Sequence, residues 1–368
     1  MKIETFKDKL NWAASKTERA VGKNLNLPVL SCLYLEAKKD KLVVRATNLD
    51  LGIEVEVPVK VSKEGVVAVP AQTFISLLNN IKDDDRVELE LVDDKLTIST
   101  EDSVSNIKTF PHEDFPTIPR TKKDTKNSVS IPVEDFVGGL KSVWGSAAVS
   151  SIKPELSSVY VYEDDGQLVF VATDSFRLAE KKIPFKNGGF EEGVLIPIKN
   201  ATETAKALDS ISDDLSIIFS DGQIGFEVGG LYITSRVVDG VFPNYKQIIP
   251  KDFSTKATVL KEDILGALRL ANIFSDKFNK IEVEVDSSKN KINISTKNND
   301  LGDSKKTINS KIEGEGLVIN FNHKYIIDGF SVLDSQSTAL HLSGSQKPMV
   351  VRSKDDASFT YLVMPMNK

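Results

Sequence analysis

The sequence predicts an α+β protein of three similar domains, each with two helices packed on antiparallel strands. Three observations carry that reading: a hairpin motif that occurs three times, a helix-period segment before each copy, and a strand, helix and two-strand pattern after each copy. The first hairpin is LYLEAKKDKLVVRATNLDLGIEVEVP, where apolar and polar residues largely alternate across a Lys-Asp-Lys turn. About 126 residues later comes VYVYEDDGQLVFVATDSFRLAEKKIP, with Ala172-Thr173 in the place of Ala46-Thr47. About 123 residues further on, IEVEVDSSKNKINISTKNNDLGDSKKTIN puts Thr296 in register.

The elements follow in order. The segments ETFKDKLNWAASKTERAV, PVEDFVGGLKSVWGSA and KEDILGALRLANIF have helical period and open the three copies. The second halves, beginning EGVVAVPAQTF, EGVLIPIKNAT and EGLVINFNHKY, each read as strand, short helix, polar turn and two strands. Each domain therefore has two helices on one side and roughly eight strands on the other. Turn residues cluster in PHEDFPTIPRTKKDTKNS and FPNYKQIIPKDFST, which sets the expected domains at 1–125, 127–250 and 254–368.

Composition excludes several classes. The 368 residues suffice for two or three cores, and 47 Lys and Arg against 53 Asp and Glu give a net charge of −6. MKIETFKDKLNW has no apolar run of signal-peptide length and no stretch approaches a membrane span, so a cytoplasmic protein is expected. The single Cys32, in VLSCLYL, reads as a small buried hydrophobe. His112, His323 and His341 are scattered without metal-ligand spacing and read as surface or turn residues, so neither a metal nor another cofactor is expected. No phosphate-binding, nucleophile-elbow or dinucleotide-binding glycine motif occurs, and no carboxylate pair stands out as an acid/base couple, so no catalytic residue is expected.

The expected helices carry Lys7, Lys9, Lys16, Arg19, Lys141, Lys199, Lys206, Lys261, Arg269 and Lys324, whereas the strands and turns hold acidic runs. One reading is ordinary solvation of amphipathic helices. The other is a basic helix face and an acidic sheet face, a repeated stripe that suits duplex phosphates without reading bases.

VATDSFRLAEKKIP and TYLVMPMNK, with VFPNYKQIIP and LNLPVLSCLYLEA, resemble the bacterial sliding-clamp family, the β subunits of DNA polymerase III, over the whole length. The resemblance implies half of a six-domain ring, a head-to-tail homodimer around duplex DNA with helices inside and sheets outside, acting as a processivity factor with no catalytic site of its own. It places the dimer contact at Ile107, Ile273 and Phe274, with Ser105 where the family often has a large apolar residue. It places DNA contacts at Lys23, Asn24, Ser150 and Lys199, with Asn24 where Arg is frequent.

It also implies a pocket for partner peptides from polymerase, clamp loader and repair proteins. One wall is Thr173, Ser175, Phe176, Arg177 and Leu178 with Leu156; a second is Pro243, Gln247 and Ile248; the last is Val363, Met364, Pro365 and Met366. Ser175 and Phe176 replace the usual Gly-His, Gln247 a common Arg, and Asn367 an Arg, so the apolar slot is expected to persist while the polar rim changes. The tail is expected to end its strand at Leu362. The rival readings are a β-rich repeat scaffold that binds proteins without encircling DNA, and a hydrolase with carboxylates in a cleft between domains.

Overall fold

The computed structural model describes residues 1–24, 26–82, 85–121, 128–185, 193–220 and 222–367. Six α-helices occur among them, two per repeat: α1 (Lys7–Thr17) and α2 (Ala71–Leu78), α3 (Val133–Val143) and α4 (Ile198–Leu208), α5 (Lys261–Ile273) and α6 (His323–Val332). The local causes are plain in α5. Glu262 and Asp263 sit in its first turn, where the helix dipole favours negative charge. Its buried residues Ile264, Ala267, Leu268 and Ala271 fall at the spacing of one helical face. At α6 the Asn322 side chain accepts from the Lys324 amide and satisfies one of the unpaired first-turn donors.

Each repeat opens with a strand that helical periodicity conceals. Lys2–Phe6, Ser128–Pro132 and Thr255–Leu260 run into α1, α3 and α5 without an intervening loop, so α1 begins at Lys7 rather than at Glu4. Nothing marks the change of period there, because Phe6 and Leu260 take the N-cap position with no side-chain cap.

The strands form four antiparallel sheets. The two large ones each cross a repeat boundary. In the eight-stranded sheet Leu51–Pro58 of the first repeat pairs with Leu231–Arg236 of the second. In the nine-stranded sheet Arg177–Pro184 of the second repeat pairs with Phe359–Val363 of the third. The compact units are consequently two, although the sequence repeats three times: one contains Met1–Val137 and Lys199–Val237, the other begins at Gly138 and takes in Val238–Lys368. Strands of the middle repeat contribute to both large sheets. The smaller sheets have five and four strands. The five-stranded sheet has Val104–Lys108 at one edge, and the four-stranded sheet has Gly302–Asn309 at one edge.

Several side chains sit elsewhere than the sequence suggests. Lys7 is buried at the start of α1 and does not belong to an exposed basic face. Lys16 donates to the Asp209 carbonyl, Lys206 to Glu203 and Lys261 to the Leu333 carbonyl, so part of the helix-borne charge is spent on nearby acceptors. His323 is buried, contradicting a surface or turn role: it links Asn272 of α5 at 2.8 Å to the Asn279 carbonyl at 3.0 Å, and burial lowers its pKa. Cys32 is fully buried, packed with Val29 and Ala68. No helix among the described residues is long and apolar enough to cross a membrane.

Candidate functional site

The site is built on the seam of the nine-stranded sheet. The strand Gln167–Thr173 ends in a turn at Asp174–Phe176, and Arg177–Pro184 returns beside it. The turn is locked by two side chains. Thr173 Oγ1 donates to the Arg177 carbonyl at 2.6 Å and accepts from the Ser175 amide at 3.1 Å. Asp174 Oδ1 accepts from the Phe176 and Arg177 amides at 2.9 and 3.0 Å. This is why Thr and Asp stand next to each other here: short polar side chains hydrogen-bond to backbone a few residues on. Ser175 has φ of +77°, the left-handed region that favours glycine, which gives physical meaning to the glycine that relatives are expected to carry at this position.

The tail docks onto that turn by backbone pairing. Val363 lies opposite Arg177 and Leu362 opposite Leu178, and the Met364 amide donates to the Phe176 carbonyl at 2.8 Å. Val363 therefore still belongs to the strand, one residue beyond the expected end. Its other neighbour is Met349, and its side chain is fully buried, so it supports the wall rather than lining it. Beyond it Met364, Pro365 and Met366 are half-buried, and the Met366 amide is held by the Asn320 carbonyl at 2.8 Å.

The third wall comes from Pro243–Ile248. Tyr245 is the member that anchors it, joining Phe242, Leu178, Leu362 and Val350 in one apolar cluster against which Met364 packs. Each such large side chain removed from water contributes about 1.5–3 kcal/mol. The Tyr245 hydroxyl also donates to Glu180 at 2.5 Å and meets the Tyr162 hydroxyl at 2.6 Å. Burial and the Glu180 carboxylate both push its pKa upward, so it stays a donor. Tyr245 and Glu180 were not singled out by sequence; the only signal was an aromatic inside a Pro-rich linker.

Around this framework the exposed groups are Phe176 (60% exposed) and Ile248 (47%), with Pro243, Gln247 and Ser175 also exposed. Arg177 is held in place rather than solvated: Nε donates to Asp174 at 3.0 Å, Nη1 pairs with Asp328 of α6, and the guanidinium lies 4.6 Å from the Tyr325 ring centre. The structure thus brings Thr173–Leu178, the tail and the Tyr245 segment together. Leu156 is buried under its own loop, where its carbonyl accepts from Ala148.

The other expected positions lie apart from this seam. Lys23 and Asn24 are exposed in the loop after α1, with the Asn24 side chain accepting from the Asn26 amide at 2.9 Å. Lys199 is exposed in the first turn of α4. Ser150 is exposed in a loop whose neighbours Val149 and Ile152 are almost wholly solvent-facing, 98% and 88%. Ile273 is exposed at the end of α5, and Phe274 packs near Gly302. Ile107 is only 5% exposed in the single chain, because on this edge strand it faces its own sheet's core opposite Leu96. Beside it an open groove of about 640 Å³ is lined by Leu77, Ile81, Ile98, Ser103 and Ser105. Among the described residues no cluster of metal-ligating side chains occurs.

Repeated two-helix units joined edge to edge through continuous sheets, with a half-buried apolar tail set beside an exposed turn at a repeat seam, define a clamp-type protein. Family models for the DNA polymerase III beta subunit match in tandem: the N-terminal domain over residues 1–119, the central domain over 130–244 and the C-terminal domain over 246–367. The chain belongs to the DNA polymerase III beta-subunit family. It is 27% identical over 373 residues to the beta sliding clamp of Synechococcus elongatus, covering 100% of this chain and 99% of that one. It is 24% identical over 380 residues to the beta sliding clamp of Staphylococcus epidermidis, with 100% and 98% covered. Among solved structures, the DNA polymerase III beta subunit of Thermotoga maritima superposes with a TM-score of 0.94 at 24% identity, covering 100% and 99% of the two chains. The sliding clamp of Bacillus subtilis superposes with a TM-score of 0.93 at 24% identity, with the same coverage.

Proposed function

We propose that this protein is a cytoplasmic sliding clamp that closes as a head-to-tail homodimer, six similar domains in a ring around duplex DNA, and has no catalytic site of its own. Its domains are taken as 1–125, 127–250 and 254–368. The observation that carries the reading is the seam, where the Met364 amide bonds to the Phe176 carbonyl and sets the tail beside a turn and a linker wall. That arrangement suits a short linear peptide with Leu or Phe anchors. Met364 and Met366 fit it because unbranched, polarisable side chains repack around different anchors. The polymerase III catalytic subunit, the clamp loader and repair proteins would then exchange at one site.

Ring closure is assigned to the two sheet edges. The groove beside Val104–Lys108, left open by the small Ser105, takes the Ile273 and Phe274 end of a second copy, and Ile107 supports it from behind. DNA contact is assigned to Lys23, Asn24, Ser150 and Lys199, exposed groups that meet phosphates without reading bases.

Such a ring confers processivity by topology. With a peptide affinity of ~1 μM, about −8 kcal/mol, and an effective concentration of ~1 mM for a tethered polymerase, rebinding outruns escape about a thousandfold. The test is retention on nicked circular DNA after loading. The clamp should stay on the circle and run off once it is linearised; equal retention on both forms would rule out encirclement. Met364→Ala with Met366→Ala should weaken binding of a Leu/Phe-containing polymerase peptide about tenfold in calorimetry while leaving the dimer mass unchanged.

A further inference from the structure

The solvent face of the nine-stranded sheet departs from the acidic surface suggested by the sequence. A groove of about 480 Å³ crosses it from Arg177–Pro184 to Lys311–Gly314. Its floor is a cross-strand row in direct register: Glu180, Thr360, Arg352, Ala339, Thr258 and Lys311. One row along, His341 lies opposite Lys256, which lies opposite Glu313. The lining holds five cations, Lys182, Lys256, Lys311, Arg352 and Lys354, against the two carboxylates of Glu180 and Glu313. That surplus of three positive charges sits on a protein whose net charge is −6.

The carboxylates are already engaged, Glu180 by Tyr245 and Glu313 by Lys311 at 3.1 Å. Lys256, Arg352 and Lys354 make no ion pair among the described residues. The positive field registers on His341, whose pKa is lowered by burial and then by Arg352 and Lys256.

The corresponding place in the eight-stranded sheet is filled by the chain itself. There Glu54 lies opposite Tyr232, as Glu180 lies opposite Thr360. Arg120, from the preceding linker, pairs with Glu54 and stacks 5.0 Å from the Tyr232 ring. In the nine-stranded sheet the small Thr360 stands in place of Tyr232, and Tyr245 rather than an arginine takes the carboxylate. The site is left open, with Lys256, Arg352 and Lys354 outside any ion pair among the described residues.

We propose that this groove binds a short acidic peptide segment of a partner protein, independently of the apolar site at the seam. Three strand steps separate Arg352 from Lys311, about 14 Å at ~4.8 Å per step. An extended peptide spans that in about four residues at ~3.3 Å each. Single-stranded nucleic acid fits less well. No Phe, Tyr or Trp lines the groove as a stacking platform, and the one ring in its lining, His341, already packs against Phe253. Glu180 and Glu313 also bracket the cations and repel a uniformly charged backbone, whereas a peptide offers amide donors to them.

Fluorescence anisotropy of a labelled ten-residue Glu/Asp/Gly peptide without aliphatic residues tests this. It should bind the full-length protein at low salt and weaken as salt rises. Lys256→Glu with Arg352→Glu and Lys354→Glu should cut its affinity at least tenfold without changing that for a Leu/Phe-anchor peptide. The milder Lys256→Gln with Lys354→Gln should fall between, and serves if the triple variant does not fold. Equal binding of the acidic peptide to wild type and variants, or no binding to the wild type, overturns the proposal. So does binding of a twelve-residue oligothymidine that the variants lose while the acidic peptide never binds. Loss of only the anchor-peptide signal would count against the seam site and leave this groove standing.

Discussion

The two seams of the molecule are built alike and end differently. At the first, Thr47 Oγ1 bonds to the Leu51 carbonyl at 2.9 Å, Asn48 caps the next amides, and Leu49 has φ of +79°. At the second, Thr173, Asp174 and Ser175 repeat each of these features, with φ of +77° at Ser175. The joining bond is repeated too: Arg236 donates to the Asp50 carbonyl at 2.8 Å, as Met364 does to Phe176. After that the seams diverge. Asn200 of α4 inserts at the first and donates to the Asp50 carbonyl and to Ser235. At the second, Phe176 is left exposed and three half-buried apolar residues follow the last strand. One architecture has thus been closed by side chains in one place and left open in the other.

The largest expected break in the parallel is at the buried carboxylates. Glu54→Ala would leave Arg45 and Arg120 without their shared partner, and should cost about 3 kcal/mol in urea unfolding, the low end for a broken buried pair because Arg120 is half exposed. Tyr245→Phe removes a donor from the buried Glu180 carboxylate and should cost about 2 kcal/mol. Tyr232→Phe, whose hydroxyl meets only neutral groups at Thr121 and Pro119, should cost about 1 kcal/mol or less. Equal losses for the two tyrosines would remove the distinction between the seams.

The acid limb of stability is a gentler probe. Burial alone would raise the Glu54 pKa, but hydrogen bonds from Arg45 and Arg120 more than offset it and hold it below the usual carboxylate value. Its contribution is therefore present above the unfolded value of about 4.3 and lost as pH falls through the lower folded value. Thermal melts from pH 7 to 3 should fall less steeply for Glu54→Gln than for the wild type. The smallest effect is expected at the turns: Ser175→Gly and Leu49→Gly each relieve a left-handed side-chain penalty and should change stability by about +0.5 kcal/mol in calorimetric melts. A clear loss at only one turn would show that the two are not strained alike.

Repetition made most of the fold legible. Lys280–Asp286 and α5 follow directly from their periods, and so does the Lys-Asp-Lys hairpin, where Lys39 adopts φ of +56°. The strands feeding the helices were hidden because no cap or turn residue separates the two periods. The grouping into two compact units was hidden because strand partners such as Leu51–Pro58 and Leu231–Arg236 lie far apart in sequence. At the site, the resemblance named three segments that lie together in the fold, but side-chain direction escaped it. Val363 and Ile107 both turn inward, a fact set by register with Arg177 and Leu96 rather than by composition. The basic groove was illegible because its five cations come from four separated strands and one adjoining turn.

The bond between the Met364 amide and the Phe176 carbonyl joins main chain to main chain. Any residue at 176 supplies the same carbonyl, so the wall holds its place whatever side chain stands there. The side chain at this position can therefore change without rebuilding the seam that joins the second repeat to the third. The architecture of the seam is carried by the backbone, and the chemistry of its surface is free to vary.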